Sequence, residues 1–151
     1  MTYIRLGRDE DFQKVRDFLD KQIAFKSDGF IGDRRLRYYL QRDRTYVALE
    51  GEEIVGVAIH SKKKTLYNLI VDETRRGQGI GTKLLQAVNP DYIRCKVNVS
   101  SGNPIPFYQK HGYGFVGVVR DGQSSPHKKT KQKSIQVMVK GGKIPPLEEY
   151  T

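Results

Sequence analysis

Residues 71–85 read Val-Asp-Glu-Thr-Arg-Arg-Gly-Gln-Gly-Ile-Gly-Thr-Lys-Leu-Leu, and they join an apolar stretch at residues 69–71 to a predicted helix. The helix is predicted because apolar residues recur at Ile80, Leu84, Leu85 and Val88. The alternating glycines before it let the main chain approach a ligand closely. A helix N-terminus adds unpaired N–H groups and the positive end of the helix dipole. The stretch therefore predicts a phosphate-binding turn, although a glycine-rich turn without a ligand shares the local pattern.

The spacing of the glycines distinguishes three kinds of phosphate loop. A Walker loop needs a glycine before the lysine, and here Lys83 follows Thr82. A dinucleotide fingerprint needs a third glycine where this chain has Thr82 or Leu84. The pattern Arg/Gln-x-x-Gly-x-Gly/Ala is matched at every fixed position by residues 76–81. This segment resembles the coenzyme A pyrophosphate loop of the GNAT N-acetyltransferase superfamily.

A second segment, residues 107–113, is similar to the family's Phe/Leu-Tyr-x-x-x-Gly-Phe motif, with Tyr113 in place of the usual phenylalanine. The resemblance implies that Tyr108 lies near the coenzyme sulfur as the general acid. A phenol has a reference pKa of about 10 and a thiol one of about 8.5, so a protonated tyrosine can meet the departing thiolate. The alternative is an aromatic residue that packs in the core. The family's asparagine, seven residues before this tyrosine, is replaced by Ser101, and Asn103 is the nearby alternative.

The resemblance implies acetyl-CoA as the cosubstrate and no metal. It assigns the coenzyme to the edge of the strand before the loop, to the loop with the first helical turn, and to the turn before Tyr108. The positions concerned are Leu69, Ile70, Val71, Arg76, Gly77, Gln78, Gly79, Ile80, Gly81, Thr82 and Asn103.

Hydrophobic periodicity predicts the order strand, two helices, three strands, helix, strand, helix, two strands. Asp9 or Asp11 is predicted to cap the first helix. The resemblance implies an α/β (mixed α+β) GNAT-like fold. Its central sheet would be mixed but mostly antiparallel, with about seven strands and about four helices, and splayed between the fourth and fifth strands. We expect one acetyltransferase domain over residues 1–140 and a loose C-terminal tail over residues 141–151.

The chain is strongly basic, with 27 Lys+Arg against 17 Asp+Glu and a formal net charge of +10 over 151 residues. Its cations cluster at Arg34, Arg35, Arg37, Arg42 and Arg44, at Lys62, Lys63 and Lys64, and at Lys128, Lys129, Lys131 and Lys133. Such clusters are either solvated faces or the footprint of a polyanion such as RNA or DNA. No apolar run reaches the length of a membrane span, and the single cysteine excludes an internal disulfide. We expect a cytoplasmic monomer or homodimer.

The general base is the least defined part of the predicted site. The strands beside the cleft offer no carboxylate before Asp72 and Glu73. The amine would therefore lose its proton to water or to His60, or the acceptor would arrive as a weakly basic amine. Cys95 has no obvious base partner that would make it a nucleophile. The predicted cleft has a basic rim, formed by Arg34, Arg35, Arg37 and the lysines at 128–133. This rim favours an amine carried by an anionic acceptor, such as a nucleic acid. Two hypotheses follow: an acetyl-CoA-dependent N-acetyltransferase, or a non-catalytic GNAT-fold module that binds nucleic acid.

Overall fold

The computed structural model describes residues 2–22, 31–95, 104–120 and 134–140, with the main chain alone at residues 115–120 and 134–140. These residues form a mixed α+β fold around one seven-stranded sheet. The strands are β1 (Thr2–Leu6), β2 (Thr45–Glu50), β3 (Glu53–His60), β4 (Thr65–Val71), β5 (Tyr92–Cys95), β6 (Tyr113–Arg120) and β7 (Ser134–Lys140). The helices are α1 (Phe12–Lys21), α2 (Asp33–Gln41), α3 (Ile80–Val88) and α4 (Ile105–Lys110). The predicted order of elements is confirmed, while the predicted end of the fifth strand and the tail lie outside the described residues.

The sheet opens between β4 and β5. Its strand order is β1-β2-β3-β4-β5-β7-β6, and β4–β5 is the one parallel pair. That pair holds only through Thr65↔Tyr92 and Leu66↔Ile93. Within the part of the chain that the structure describes, residues 67–71 of β4 have no register partner on β5, while β5 stays paired with β7. The predicted splay between the fourth and fifth strands is therefore confirmed.

Two apolar layers cover the sheet. α1 and α2 pack on one face, where each helix buries side chains at helical spacing, as Phe12, Val15 and Leu19 do in α1. α3 and α4 cover the other face, with Ile80 and Leu84 among the buried residues. Successive side chains of each strand point to opposite faces of the sheet, so each strand contributes residues to both layers.

Gly56 lets α3 lie close against the centre of the sheet. A Cβ at this position would be 2.9 Å from Leu84 Cδ1 and 3.1 Å from Ile80 Cγ2. A larger residue would push the first turns of α3 away from β3. The glycine thus sets the distance between the sheet and the N-terminus of α3, which carries the predicted coenzyme site.

A β-bulge interrupts β4 at the point where the sheet opens. Ile59 of β3 pairs with Asn68, but the next residue, His60, pairs with Leu66, so Tyr67 is the extra residue. A bulge bends its strand and leaves main-chain groups out of the ladder. The bulge and the last β4–β5 pair therefore lie side by side.

The predicted aspartate cap of the first helix is not formed. Asp9–Asp11 make a short 3-10 turn, and neither side chain accepts a main-chain hydrogen bond from α1. The Asp11 carboxylate instead accepts from the Arg8 main-chain N–H at 2.8 Å and from both Nη atoms of Arg5 at 2.7 and 2.9 Å. The hydrogen bonds from Arg5 hold the pKa of Asp11 below its usual value. This carboxylate joins β1 to α1.

We expect Asp11→Asn to lower the free energy of unfolding by about 2 kcal/mol at neutral pH, because a buried charge-assisted pair is lost. The Asp11 pKa is lowered by folding, so its contribution is present above the unfolded-state pKa of about 3.9. It is lost as the pH falls through the folded-state value. Denaturant unfolding of both proteins between pH 7 and pH 3 measures this, and the difference in stability between them should shrink as the pH falls below about 4. Asp9→Asn is the control, since the exposed Asp9 carboxylate pairs with Arg37 at 3.6 Å and should change stability by less than about 1 kcal/mol.

Candidate active site

The turn after β4 is held by Asp72. Its main-chain N–H donates to the Val55 carbonyl at 2.9 Å, and its carboxylate accepts from the Thr74 main-chain N–H at 2.9 Å and hydroxyl at 2.8 Å. The hydrogen bonds from Thr74 keep the pKa of Asp72 below its ordinary value. A carboxylate with these partners shapes the turn, and its lowered pKa makes it a weaker base than a free aspartate.

The two adjacent arginines of the loop have different roles. The Arg75 guanidinium contacts three carboxylates, those of Glu50 at 2.7 Å, Asp72 at 3.0 Å and Glu53 at 3.3 Å. Arg76 is exposed and makes no ion pair with any residue in the described part of the chain. Lys83, the third nearby cation, donates to the main-chain carbonyl of Thr2 at 3.3 Å. Arg76 is therefore the cation of this loop that remains available for an anionic ligand.

The glycines at 77 and 79 give the loop its shape. Their φ angles are +85° and +84°, a left-handed region that L side chains rarely adopt, and Gly79 is the N-cap of α3. The first helical hydrogen bond runs from the Lys83 N–H to the Gly79 carbonyl at 3.0 Å. The main-chain N–H groups of residues 77–82 donate to none of the described residues. These six successive amides at the positive end of α3 therefore have no acceptor among the described residues.

Gly81 and Thr82 serve the packing of α4 on α3. The Phe107 ring lies 3.4 Å from where a Gly81 Cβ would be, an ordinary van der Waals separation. The Thr82 hydroxyl lies 3.0 Å from His111 Nε2, and His111 Nδ1 lies 2.8 Å from the Phe107 carbonyl. In a neutral His111, Nδ1–H donates to that carbonyl, so the Thr82 hydroxyl donates to Nε2. Thr82 can then offer an anion its main-chain N–H but not its hydroxyl proton.

The edge of β4 that faces the opening is formed by the segment predicted to contact the coenzyme. Leu69 and Val71 pack against the α3 layer, and Ile70 is buried in the α1–α2 layer. Their side chains are core, while their main chain is paired with none of the described residues of β5. A strand edge of this kind offers free donors and acceptors to a ligand.

Tyr108 is buried next to β5, with 5% of its surface exposed. Burial raises its pKa well above the ordinary value, and Cys95 and Tyr113 add to the effect. Tyr108 is therefore a protonated phenol at neutral pH. Burial also raises the pKa of the Cys95 thiol to about 12, which keeps it from acting as a nucleophile. The Tyr113 hydroxyl donates to the Pro90 carbonyl at 2.6 Å, so this departure from the family motif has a structural role.

Comparisons with known proteins agree with this geometry. The family model of the acetyltransferase (GNAT) domain matches residues 41–114, which span from the end of α2 to the start of β6. Over these residues the chain is a GNAT domain. It is therefore an acetyltransferase domain, as the two sequence motifs predicted. A search among curated proteins found no match.

Solved structures show how widely the GNAT fold is used. The chain resembles diaminobutyrate acetyltransferase from Paenibacillus lautus, with its substrate and coenzyme A, at a TM-score of 0.70 and 14% identity over 96% of this chain and 98% of that one. It resembles the ribosomal-protein-S18-alanine N-acetyltransferase from Escherichia coli at 0.69 and 16%, over 93% of each chain. A polyamine N-acetyltransferase from Drosophila melanogaster gives 0.68 and 14%, over 92% and 99%. At this identity the likeness concerns the fold, and it does not choose among acceptors.

Of the remaining predicted site residues, the structure describes His60 but not Asn103 or Ser101. His60 lies at the end of β3 where β4 and β5 are still paired, and its Nδ1 is 2.7 Å from the Ser61 carbonyl. Burial lowers the pKa of His60 and keeps it neutral. This position, away from the opening, does not favour a role as the base. Asn103 and Ser101 lie outside the described residues.

The basic cluster on α2 and in the turn after it is largely engaged with aromatic rings. The Arg42 and Arg44 guanidinium carbons lie 3.8 and 5.5 Å from the Tyr38 ring centroid, and Arg37 lies 3.8 Å from that of Phe12. Arg35 donates to the Tyr39 hydroxyl at 3.3 Å. The lysines at 128–133 lie outside the described residues. No helix in the described part of the GNAT domain has the length and apolar character of a membrane span.

Proposed function

We propose that this protein is an acetyl-CoA-dependent N-acetyltransferase that transfers an acetyl group to a primary amine on an anionic acceptor. The proposal is carried by the six main-chain amides at residues 77–82, which have no acceptor in the described part of the chain, beside an edge of β4 that the described residues leave unpaired. An array of N–H groups at a helix N-terminus suits a pyrophosphate. The neighbouring strand edge suits the amide-bearing arm that connects the pyrophosphate to the thioester.

The proposed coenzyme contacts divide between main chain and side chain. The amides of Gly77, Gln78, Gly79, Ile80, Gly81 and Thr82 would donate to the pyrophosphate, and the main chain of Leu69, Ile70 and Val71 would meet the arm. Arg76 would add the one side-chain charge. The Ile80 side chain is in the core, so its part would be limited to its main chain. Asn103 stays a prediction from the sequence.

In the proposed reaction the amine nitrogen attacks the thioester carbonyl carbon. The C–N bond forms, the C–S bond breaks, and the sulfur leaves with the electron pair of that bond. Tyr108 would donate its phenolic proton to the sulfur, and the amine would lose one proton to water. Water is proposed as the proton acceptor because β4 and β5, as far as the structure describes them, carry no carboxylate. A catalytic acid of this kind contributes about 100-fold or more to the rate.

The anionic character of the acceptor is supported by the charge of the chain and by the position of the α2 arginines. A cationic rim attracts an amine that carries carboxylate or phosphate groups and repels simple polyamines. A nucleic-acid-borne amine is the extended form of this proposal, and it relies on the lysines at 128–133. Binding of that kind would weaken steeply with added salt.

The test is binding of acetyl-CoA to wild-type protein, followed by thermal unfolding and calorimetry. A ligand at 100 times its dissociation constant should add about 2.7 kcal/mol to the free energy of unfolding. We expect Arg76→Gln to weaken coenzyme binding about 5- to 10-fold, because one charge-assisted contact is lost. Lys83→Gln is the matched control and should bind as the wild type does, since Lys83 contacts Thr2. An absent thermal shift at millimolar acetyl-CoA would favour the non-catalytic module, and equal losses in both variants would remove Arg76 from the site.

A further inference from the structure

Tyr67 and Arg94 lie side by side where β4 and β5 separate. Each is the first residue beyond the last register pair of its strand. The Arg94 guanidinium carbon is 5.9 Å from the Tyr67 ring centroid. Tyr67 packs against the α1–α2 layer, and Arg94 alternates with Ile93 and Cys95, which face the other layer. Both side chains are therefore on the α1–α2 side of the opening.

Among the described residues, no carboxylate pairs with Arg94, although its side chain is partly buried. Its Nε is buried and has no hydrogen-bond partner within the ranges that the structure describes. A buried charged donor that stays unsatisfied costs about 1–3 kcal/mol or more. Of the four other described arginines that are at least partly buried, Arg5, Arg16 and Arg75 each contact a carboxylate, and Arg44 donates to the Tyr38 hydroxyl at 3.4 Å. The difference indicates that the partner of Arg94 is a ligand.

A row of aromatic and cationic side chains leads from the protein surface to Arg94. Tyr67 meets the ring of Tyr39 edge-on, with centroids 6.4 Å apart, and the Tyr39 hydroxyl accepts from exposed Arg35. The row therefore joins α2 to the opening and has a cation at each end. This arrangement attracts an anion toward the opening and disfavours a purely cationic amine.

We propose that Arg94, held over the Tyr67 ring, binds an oxyanion of the acceptor, a carboxylate or a phosphate, a few bonds from the amine that is acetylated. A guanidinium presents paired donors that match the oxygens of either group. The distance between this oxyanion and the reacting amine follows from the spacing of residues along β4. Leu69, where we place the thioester arm, lies two residues beyond Tyr67, which corresponds to about 7 Å along the strand. The inference rests on the proposed function and narrows its acceptor class.

The first experiment measures binding at Arg94 directly. The Arg94 Nε–H signal is assigned in a nitrogen-15 NMR spectrum by its absence in Arg94→Gln. Coenzyme A is present, and the protein is titrated with two pairs of probes, lysine against cadaverine and phosphoethanolamine against ethanolamine. Each pair differs by one oxyanion. We expect a saturable shift of the Nε–H signal with at least one oxyanion probe and none with its parent amine.

The second experiment measures acetyl transfer to the same probes. Arg94→Gln should raise KM for the preferred oxyanion probe at least about 30-fold, toward that of its parent amine, which corresponds to about 2 kcal/mol. Arg94→Lys should recover only part of this, because a lysine keeps the charge and loses the paired donors. Arg8→Gln is the control: it also removes one arginine charge, but at an exposed side chain that pairs with Glu10 at 3.5 Å and lies outside the α2 cluster, and it should leave KM unchanged.

The outcomes separate this inference from the proposed function. If lysine shifts the signal, the oxyanion is a carboxylate, and if phosphoethanolamine does, it is a phosphate. If coenzyme A binds but no oxyanion probe moves the Arg94 signal, or if the parent amines move it equally, the inference on Arg94 is overturned while the coenzyme site stands. If coenzyme A itself does not bind, the proposed function fails.

Discussion

Tyr108→Phe should lower kcat at least about 100-fold and leave the dissociation constant of acetyl-CoA within twofold of the wild type. The substitution removes only the hydroxyl group, and a general acid is used in the transition state and not in the binding of the coenzyme. A 100-fold loss corresponds to about 2.7 kcal/mol of activation free energy. Steady-state kinetics with calorimetry measures both quantities. Because burial keeps the phenol protonated, the wild-type rate should not fall through loss of this proton up to about pH 10.

Tyr113→Phe is the control that separates chemistry from packing. Tyr113 is buried to the same extent and belongs to the same apolar cluster, but its hydroxyl donates to the Pro90 carbonyl. Its loss should lower the free energy of unfolding by about 1 kcal/mol and leave kcat nearly unchanged. If Tyr108→Phe keeps the wild-type kcat, Tyr108 is a core residue and another group protonates the sulfur. If both variants lose kcat equally, the effect comes from the packing of α4.

The parts of the fold that could be predicted are those encoded by neighbouring residues. Hydrophobic periodicity located each strand and helix that the structure describes, because one face of every element is buried. The loop was also predictable from neighbouring residues, because Gly77 and Gly79 lie within three residues of the start of α3. Both glycines have the positive φ angles that such a turn requires. The resemblance to a family added the splay of the sheet, which periodicity alone does not specify.

Features that depend on residues far apart in the sequence could not be predicted. The sequence gives no sign that Arg75 is held by Glu50 and Glu53, which lie more than 20 residues earlier, while Arg76 stays free. The contact between Thr82 and His111 spans 29 residues. The pairing of Tyr67 with Arg94 depends on the register of two parallel strands, which is set only when the helices pack. These contacts decide which of several similar side chains face the site.

Gly79→Ala should weaken acetyl-CoA binding at least about 10-fold. The φ angle of +84° costs a residue with a Cβ about 1–2 kcal/mol, and the loop can relieve this strain only by turning its amides away from their present direction. No described protein atom lies within 4 Å of the added Cβ, so the protein itself has room for the methyl group. Isothermal titration with acetyl-CoA, together with denaturant unfolding of the free protein, separates lost affinity from lost stability.

Gly81→Ala provides the matched comparison, because it adds the same methyl group two residues further on. Gly81 is inside α3, and the new Cβ would contact the Phe107 ring at 3.4 Å, an ordinary distance. This variant should bind acetyl-CoA within twofold of the wild type and gain up to about 1 kcal/mol in stability from helix propensity.

Gly79→Asn is more sharply diagnostic, since asparagine tolerates a left-handed conformation. If backbone strain alone weakens binding, asparagine should restore part of the affinity lost in Gly79→Ala. If the coenzyme occupies the space over Gly79, the Gly79→Asn variant should bind acetyl-CoA still more weakly than Gly79→Ala does. If both Gly79 variants bind with wild-type affinity, the amides at residues 77–82 do not hold the pyrophosphate.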